Sequence, residues 1–438
     1  MSPTFAAISI EELEPHFSVL NKFDRVALAV SGGCDSLALL LLISDYLEIR
    51  GNGAHEIHVL TVDHGLRDEA KYEIELVASY CRQLGCTFSQ LEWTGEKPRT
   101  GIQEAAREAR YALMADYCHA RQIPVLLTAH HSDDQAETLL MRLSRGSGLD
   151  GLSGISPRST RLGVEIYRPL LDFPKERLKT TLRQRNWEWM EDKSNSDTRF
   201  ERSQLRQNWQ LLDDLGLSSR SLALSSRRLQ RSRNALIAFV DDIVGDQVMY
   251  DSRGLIEIEI NVFASQLEEV QLRVLSRCIF ALGGQLRPPQ LSKLEDLQKE
   301  LLEHSKYSAT LGGCQIEKTE TALTLFREVR SDQIEQMMIS PGESRVWDRK
   351  FQLQLASAAP LPLRIQYLGA ESGLELSETV QNVLRMLPVK ARPALVSLWQ
   401  ENRLVALPQL EIYEIPDAYW PDSSPCRCEF LNYPKIFG

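Results

Sequence analysis

Ser31-Gly32-Gly33-Cys34-Asp35-Ser36 follows Val26-Ala27-Leu28-Ala29-Val30, an apolar run of strand length, and precedes residues 37–49, which are apolar nearly all round. That pattern reads as a buried strand, a tight turn and a buried helix. A glycine pair at such a turn lets the backbone approach a ligand without a Cβ in the way. The helix N-terminus beyond it aims free N–H groups and a partial positive charge at the same spot. Ser31 and Ser36 add hydroxyls, and Asp35 adds a carboxylate able to hold Mg²⁺. The stretch therefore reads as an anion cradle for the phosphates of a nucleotide. It is not a Walker loop, because G-x-x-x-x-G-K-[ST] is absent.

Working outward, residues 56–62 form a second strand ending at Asp63-His64-Gly65-Leu66-Arg67, and a helix follows over 69–84. Residues 87–93 make a third strand, 103–121 a long helix, and 125–129 a fourth strand ending at His130-His131-Ser132-Asp133-Asp134. A further helix runs from there to about 143. The alternation predicts a doubly wound parallel α/β sheet, whose ligands sit beyond the carboxyl ends of the strands. The loops there carry the glycine cradle, Asp63-His64 and His130 to Asp134.

The chain has 438 residues, too many for one ordinary core, so two or three domains are expected. An apolar content of 43% with 25% charged residues describes a globular protein in water. No window reaches membrane-spanning length. Residues 1–17 lack a basic region followed by an apolar stretch, so they read as no secretory signal. Eight cysteines without a CxxC fit reduced thiols in a cytoplasmic enzyme. Net charge −10 argues against a nucleic-acid coat, yet a local basic face remains open.

Past residue 152 the composition shifts. Residues 158–233 read as mostly helical and arginine-rich, with Arg220, Arg227, Arg228, Arg231 and Arg233 on one late helix. Residues 236–330 mix helices and strands, and Ser340-Pro341-Gly342 opens a region of short strands and several prolines. The division expected is 1–215 for the nucleotide-binding catalytic domain, 216–330 for a helical α+β domain and 331–438 for a small C-terminal α+β domain.

Asp133, Asp134 and Glu137 open the helix after the fourth strand. Acids in a first turn often only cap the helix; three beside a phosphate cradle exceed that need. Asp133 and Glu137 share a face, and together the acids suit Mg²⁺ or the ammonium group of an amine substrate. Arg107 and Arg110 lie on one face of the 103–121 helix, where taken alone they read as solvated surface. His64, His130 and His131 follow strand ends, and no third ligand at metal spacing supports zinc.

The blocks SGGCDS, VDHGLR, EAAREARY, TAHHSDDQAET, RGSGLDGLSG, RPLL and EDKSNSD occur in this order over roughly residues 24–200. In that combination the chain resembles the tRNA(Ile)-lysidine synthetase family of PP-loop ATP pyrophosphatases, and residues 383–408 resemble that family's C-terminal domain. The resemblance implies ATP and Mg²⁺, and adenylation of the C2 oxygen of the wobble cytidine in the CAU anticodon of tRNA(Ile). Free L-lysine then displaces AMP, giving lysidine. It implies catalytic roles for Asp35, Asp133, Asp134 and Glu137, with Mg²⁺ on Asp35. Nucleotide contacts fall to Ser31, Gly32, Gly33, Cys34, Asp35, Ser36, Asp63, His64 and Arg107. Substrate contacts fall to Asp133, Glu137, Arg142, Arg145, Asp192, Asn195, Arg202 and Arg206, and the two later domains would bind tRNA. One departure stands out: the family's Arg-Asn pair is here Arg202-Ser203. The oligomeric state stays open, a homodimer included.

Two rivals fit parts of the pattern. Another PP-loop enzyme, such as a tRNA thiolase, would need a cysteine pair or an iron–sulfur site, and Cys34 has no obvious partner. A non-catalytic RNA-binding scaffold would not need both an intact cradle and an intact acidic set.

Overall fold

Strand β1 (Arg25–Ala29) lies between two parallel neighbours, β2 (Glu56–Asp63) and β4 (Val125–Leu127), with Leu28 opposite both Val59 and Leu127. β3 (Thr87–Glu92) extends the sheet beyond β2, and β6 (Val164–Tyr167) extends it in parallel beyond β4. β5 (Arg158–Arg161) closes that edge antiparallel, so the order is β3-β2-β1-β4-β6-β5. The winding reverses between β1 and β4, which is where such a sheet opens a crevice at its carboxyl end. The computed structural model describes residues 5–50, 56–63, 65, 70–94, 97–98, 101–191, 201–251, 253–285, 287–329, 336–357, 359, 361–369, 376–413 and 426–431. The chain divides into two units, Met1–Ala235 and Leu236–Gly438.

In the first unit, alternate residues of β1 face opposite helical layers, as the two-residue period of a strand requires. Val26 and Leu28 meet α1 (Ile10–Phe17), α2 (Cys34–Arg50), α3 (Ala70–Leu84) and α7 (Lys175–Gln184). Ala27 meets Tyr111, Met114 and Cys118 of α4 (Ile102–Ala120). Leu37, Leu39, Leu40, Leu42 and Ile43 are all at most 1% exposed, which is why α2 shows no polar face in sequence. Burial of each such side chain contributes about 1.5–3 kcal/mol. The α2 core therefore anchors the loop that precedes it.

α5 (Ser132–Leu143) follows β4, and α6 (Leu149–Leu152), α8 (Glu201–Gln207) and α9 (Trp209–Asp214) follow in turn. The unit boundary falls within α10 (Ser219–Gln247). Among its described residues the stretch 158–233 is mostly helical as expected, through α7 to α10, except at its start, where β5 and β6 form a hairpin. Leu162 and Gly163, with φ of 49° and 78°, make its two-residue turn. The Val-Glu-Ile-Tyr alternation of β6 carried the strand signal, but the arginines around it masked a short edge.

The described residues of the second unit form three antiparallel sheets. The first, ordered β7-β8-β11-β10-β9, comprises β7 (Val248–Asp251), β8 (Leu255–Glu259), β9 (Tyr307–Leu311), β10 (Cys314–Lys318) and β11 (Ala322–Arg327). It shares a core with α11 (Ile260–Ser265), α12 (Glu268–Gly283) and α13 (Leu291–Glu303). The second sheet joins β12 (Met337–Ile339), β15 (Leu363–Tyr367), β16 (Val396–Gln400), β17 (Arg403–Leu407) and β18 (Ile412–Tyr413), with α14 (Glu378–Arg385) beside it. The third joins β13 (Ser344–Trp347), β14 (Phe351–Leu355) and β19 (Cys426–Phe430). The whole is thus a parallel-dominant α/β domain followed by a helical region and antiparallel α+β structure. No helix among the described residues is long and apolar enough to cross a membrane.

Lys350, 1% exposed, is the most deeply buried cation among the described residues of the second unit. Its Nζ donates to Asp348 Oδ2 at 2.6 Å, and the Tyr367 hydroxyl donates to the same oxygen. Arg327 lies 3.6 Å from it while donating to the carbonyls of Gly283 and Gly313. Burial pushes the Lys350 pKa down to about 8 from 10.5, although Asp348 pulls the other way. A base depressed in the fold favours the neutral form, so its stabilising contribution is full above 10.5 and lost as pH falls through about 8. The unfolding free energy of the wild type, read from urea midpoints, should therefore rise between pH 8 and 10.5 relative to Lys350→Met, by on the order of 3 kcal/mol. Parallel curves for the two proteins would show that Lys350 does not titrate there.

Candidate active site

The phosphate-type loop is held by its own serines. Ser31 N donates to Ser36 Oγ at 3.1 Å, and Ser36 Oγ donates to the Gly33 carbonyl at 3.0 Å. Gly32 has φ +83°, and a Cβ there would sit 3.2 Å from Glu73 Cβ, so the turn demands glycine. Gly33 has no such constraint: a Cβ would meet only Ser31 Oγ, at 3.7 Å. The packing of the turn therefore does not itself require glycine at position 33.

The loop opens into a cleft of about 1370 Å³ at the carboxyl end of β1 and β4. Ser31, Gly33, Cys34 and Asp35 line one side; His131, Asp133, Glu137, Lys175 and Arg206 line the rest nearest to them. Asp35 Oδ2 accepts from Lys175 Nζ at 3.0 Å and lies 3.6 Å from His131 Nε2. Burial opposes its ionisation, but His131 and Lys175 beside it hold the carboxyl well below the usual carboxylate range.

His131, 2% exposed, sits among three carboxylates: Asp134 at 3.5 Å, Asp35 at 3.6 Å and Asp133 at 3.8 Å. Burial would lower its pKa, and those acids, Asp134 foremost, raise it above the ordinary value. Its neighbour moves the other way, since burial pushes His130 down to about 4. Asp134 accepts from the His131 backbone N–H at 3.0 Å; burial opposes its charge, and His131 and His130 nevertheless keep its pKa low. Asp133 accepts from the Lys175 backbone N–H at 3.1 Å, which ties the start of α7 to α5.

Glu137, 3% exposed, receives a two-pronged bond from Arg206, Nε to Oε1 at 2.6 Å and Nη2 to Oε2 at 3.2 Å. Such a fork is among the stronger charge-assisted contacts. Arg202 donates to Thr138 Oγ1 and lies within 4 Å of both Asp134 and Glu137. Ser203, between the two arginines, is buried. Cys34 is buried against Asp35 Oδ1 at 3.1 Å, and burial, then Asp35, pushes its thiol up to about 12. A thiol so placed is a poor nucleophile.

Of the remaining sequence candidates, Asp63 accepts from the Gly65 N–H and does not line the cleft. Arg107 lies over the Tyr111 ring, away from the cleft lining. Arg142 is exposed, and Arg145 pairs with Glu201. His64, Asp192 and Asn195 lie outside the described residues. Arg227 of α10 also lines the cleft and pairs with Asp172.

Residues 6–212 match the family model of a PP-loop domain. The tRNA(Ile)-lysidine synthase of Wolbachia pipientis wMel is 35% identical over 332 residues, 75% of this chain and 76% of that one. Those of Methylobacterium nodulans (40% over 323 residues; 69% and 90%) and Ruegeria pomeroyi (34% over 384 residues; 88% and 88%) match as broadly. The chain belongs to the tRNA(Ile)-lysidine synthase family. It is an ATP-using enzyme of the carbon–nitrogen ligase class. The thiolase and scaffold readings are not favoured.

Within this lysidine synthase fold, sequence reasoning missed Lys175 and the central place of His131. Lys175 stands in RPLLDFPKERLK, four residues after the RPLL block ends, and a lone lysine at a helix start gives no sign of its partner 140 positions earlier. Aromatic lining by Trp189 and Trp209 was also missed, because each reads as core.

The fork on Glu137 makes a measurable prediction. Arg206→Ala leaves a buried carboxylate without its main partner and should cost about 3 kcal/mol or more. Adding Glu137→Gln should restore much of that loss. Denaturant midpoints of the two singles and the double, taken as a cycle, would show additivity if the pair is uncoupled.

Proposed function

We propose that the cleft of the first unit makes lysidine in tRNA(Ile): ATP adenylates the C2 oxygen of the wobble cytidine of the CAU anticodon, and free L-lysine displaces AMP. One observation carries this reading: the glycine loop's Asp35 and the acids of α5 meet at a single imidazole, His131. An adenylating site and an amine-binding site are thereby joined in one cavity.

The loop's backbone N–H groups and the α2 N-terminus suit the phosphates of ATP, and Lys175 adds a cation beside them. Holding the α-phosphate in line with the cytidine oxygen is the larger part of such catalysis. Asp35 is the residue fitted to hold Mg²⁺, which would neutralise charge gathering on pyrophosphate. Among the described residues no three His, Cys, Asp or Glu side chains are arranged to hold a metal by themselves; Mg²⁺ bound through one carboxylate and the nucleotide's own phosphates needs no such cage. Asp133, Asp134 and Glu137 would position the lysine ammonium and accept its proton. Because Arg206 already engages Glu137, the ammonium competes there with a guanidinium.

The tRNA body would lie on the arginines of 158–233 and, from the second unit, on Lys390, Arg392 and Arg403. Regions 216–330 and 331–438 are accordingly assigned to tRNA binding, and the enzyme to the cytoplasm, where tRNA, ATP and reduced thiols coexist.

Incubation with ATP, labelled lysine and total tRNA should place label in an isoleucine tRNA; label in no tRNA would sink the assignment. Asp35→Asn preserves shape and removes charge, and should slow tRNA-dependent pyrophosphate release more than about tenfold. Normal release by the folded variant would remove Asp35 from the reaction.

A separate expectation divides the two half-reactions. At least one amide substitution among Asp133, Asp134 and Glu137 should raise the KM for lysine while pyrophosphate release with tRNA persists. If all three abolish both steps, the acids serve the nucleotide end of the cleft.

A further inference from the structure

Tyr111 of α4 is 3% exposed, and four guanidinium groups surround it. Arg161 of β5 lies 4.2 Å from its ring centroid, Arg107 lies 5.4 Å away and Arg110 5.6 Å. Arg168, immediately after β6, interacts with the Tyr111 hydroxyl and donates to Ser156 O and Ser159 Oγ. Its Nε is buried without a hydrogen-bond partner among the described residues. Two of the three acids of the helix, Glu104 and Glu108, lie on the turns that precede Tyr111, and Glu108 pairs with Arg161. Four guanidinium groups against two carboxylates leave a concentrated positive excess in a protein of net charge −10.

Cation–π contacts with one ring cannot neutralise four like charges. Burial lowers the Arg110 pKa; Tyr111 opposes that shift, while Arg107 and Arg161 add to it. Gathering like charges at a half-buried site is unfavourable unless an anion arrives. Position narrows the choice of anion. Arg168 follows the carboxyl end of β6, next to β4, whose own end carries His130 and His131. Arg168 and Arg107 are close enough to His130 to act on its charge. The cluster therefore flanks the cleft on the β6 side, whereas the glycine loop lies on the β1 side, and none of the four arginines lines the cleft. A mononucleotide in the cleft has its phosphates at the glycine loop. A polyanion with one base in the cleft carries further phosphates across the neighbouring strand end.

We propose that Arg107, Arg110, Arg161 and Arg168 form a backbone-phosphate site that grips the RNA strand beside the nucleotide undergoing modification. It rests on the tRNA-modifying reading above. Arginine matches this ligand because its planar fork bonds phosphate oxygens in pairs. Arg107 thus contacts RNA, not the nucleotide cofactor, and Tyr111 acts as the fixed platform that holds the fan of side chains.

The test uses the full chain, an unmodified transcript of tRNA(Ile) with a CAU anticodon, and Arg107→Ala/Arg161→Ala. These two are chosen because Arg110 and Arg168 are more deeply packed. The log–log salt slope of tRNA binding should flatten by about 0.7–0.9 per lost contact, so by about 1.5 in the double variant. ATP affinity in the absence of RNA, read by the same preparation, reports whether the variant is folded. Glu108→Gln gives an opposite sign: freed of its acid, Arg161 should tighten tRNA binding about two- to threefold. An unchanged salt slope in the double variant, or tRNA affinity that stays level or falls in Glu108→Gln, overturns the site. Weakened ATP binding with an intact slope also overturns it and makes the cluster a nucleotide contact. Wild-type protein that binds and modifies no tRNA defeats the functional reading itself, a result separate from all of these.

Discussion

His131 stands between the glycine loop and the acidic helix, and the site depends on that one contact. Four carboxylates, Asp35, Asp133, Asp134 and Glu137, gather at the carboxyl end of β1 and β4, two of them largely buried. Unpaired, such charges would cost several kcal/mol each in desolvation. The compensation comes from far along the chain: Lys175 opens α7, and Arg202 and Arg206 lie on α8. Docking of α7 and α8 is thus coupled electrostatically to the loop after β1. Truncating either helix would unbalance the acids before it touched the sheet.

This dependence also marks what the sequence could and could not show. Strand β1, the loop and α2 were legible because each signal is local: an apolar run, two glycines, then a helix buried all round. The acids of α5 were legible as an excess over what capping needs. Lys175, by contrast, declares itself only through a partner 140 residues away, and no periodicity encodes that. The β5–β6 hairpin was lost for a related reason, since an edge strand needs only one apolar face and its arginines read as helix surface. Arg107 was placed with the nucleotide through its sequence block; that it shares the Tyr111 ring with Arg161, a pairing between α4 and a hairpin, is something no spacing could reveal.

The second unit repeats the lesson in β structure. β14 pairs with β19 across more than 70 residues, Phe351 opposite Phe430. Short strands with such non-local partners carry little information about register. What fixes them is burial: Trp347, Leu353 and Ile365 are fully enclosed, and Lys350 is enclosed with them through Asp348. A buried lysine in an otherwise apolar core specifies geometry more than it adds stability, because its carboxylate partner admits few arrangements.

Charge bears on the tRNA question in a way that a count of arginines does not. Residues 158–233 looked like a basic face, yet Arg227 is paired with Asp172, Arg233 with Asp150 and Arg206 with Glu137. An arginine already bonded to a carboxylate must exchange that partner before it can hold a phosphate, so its contribution to affinity is a difference between two similar contacts. Around Tyr111 the balance differs, because guanidinium groups outnumber the acids: Arg161 already holds Glu108, and a phosphate there would relieve the repulsion among the others. Affinity for a polyanion therefore concentrates where cations exceed their local partners. Among the described residues, the four guanidinium groups around Tyr111 form one such excess, beside the cleft and one strand away from the end of β4.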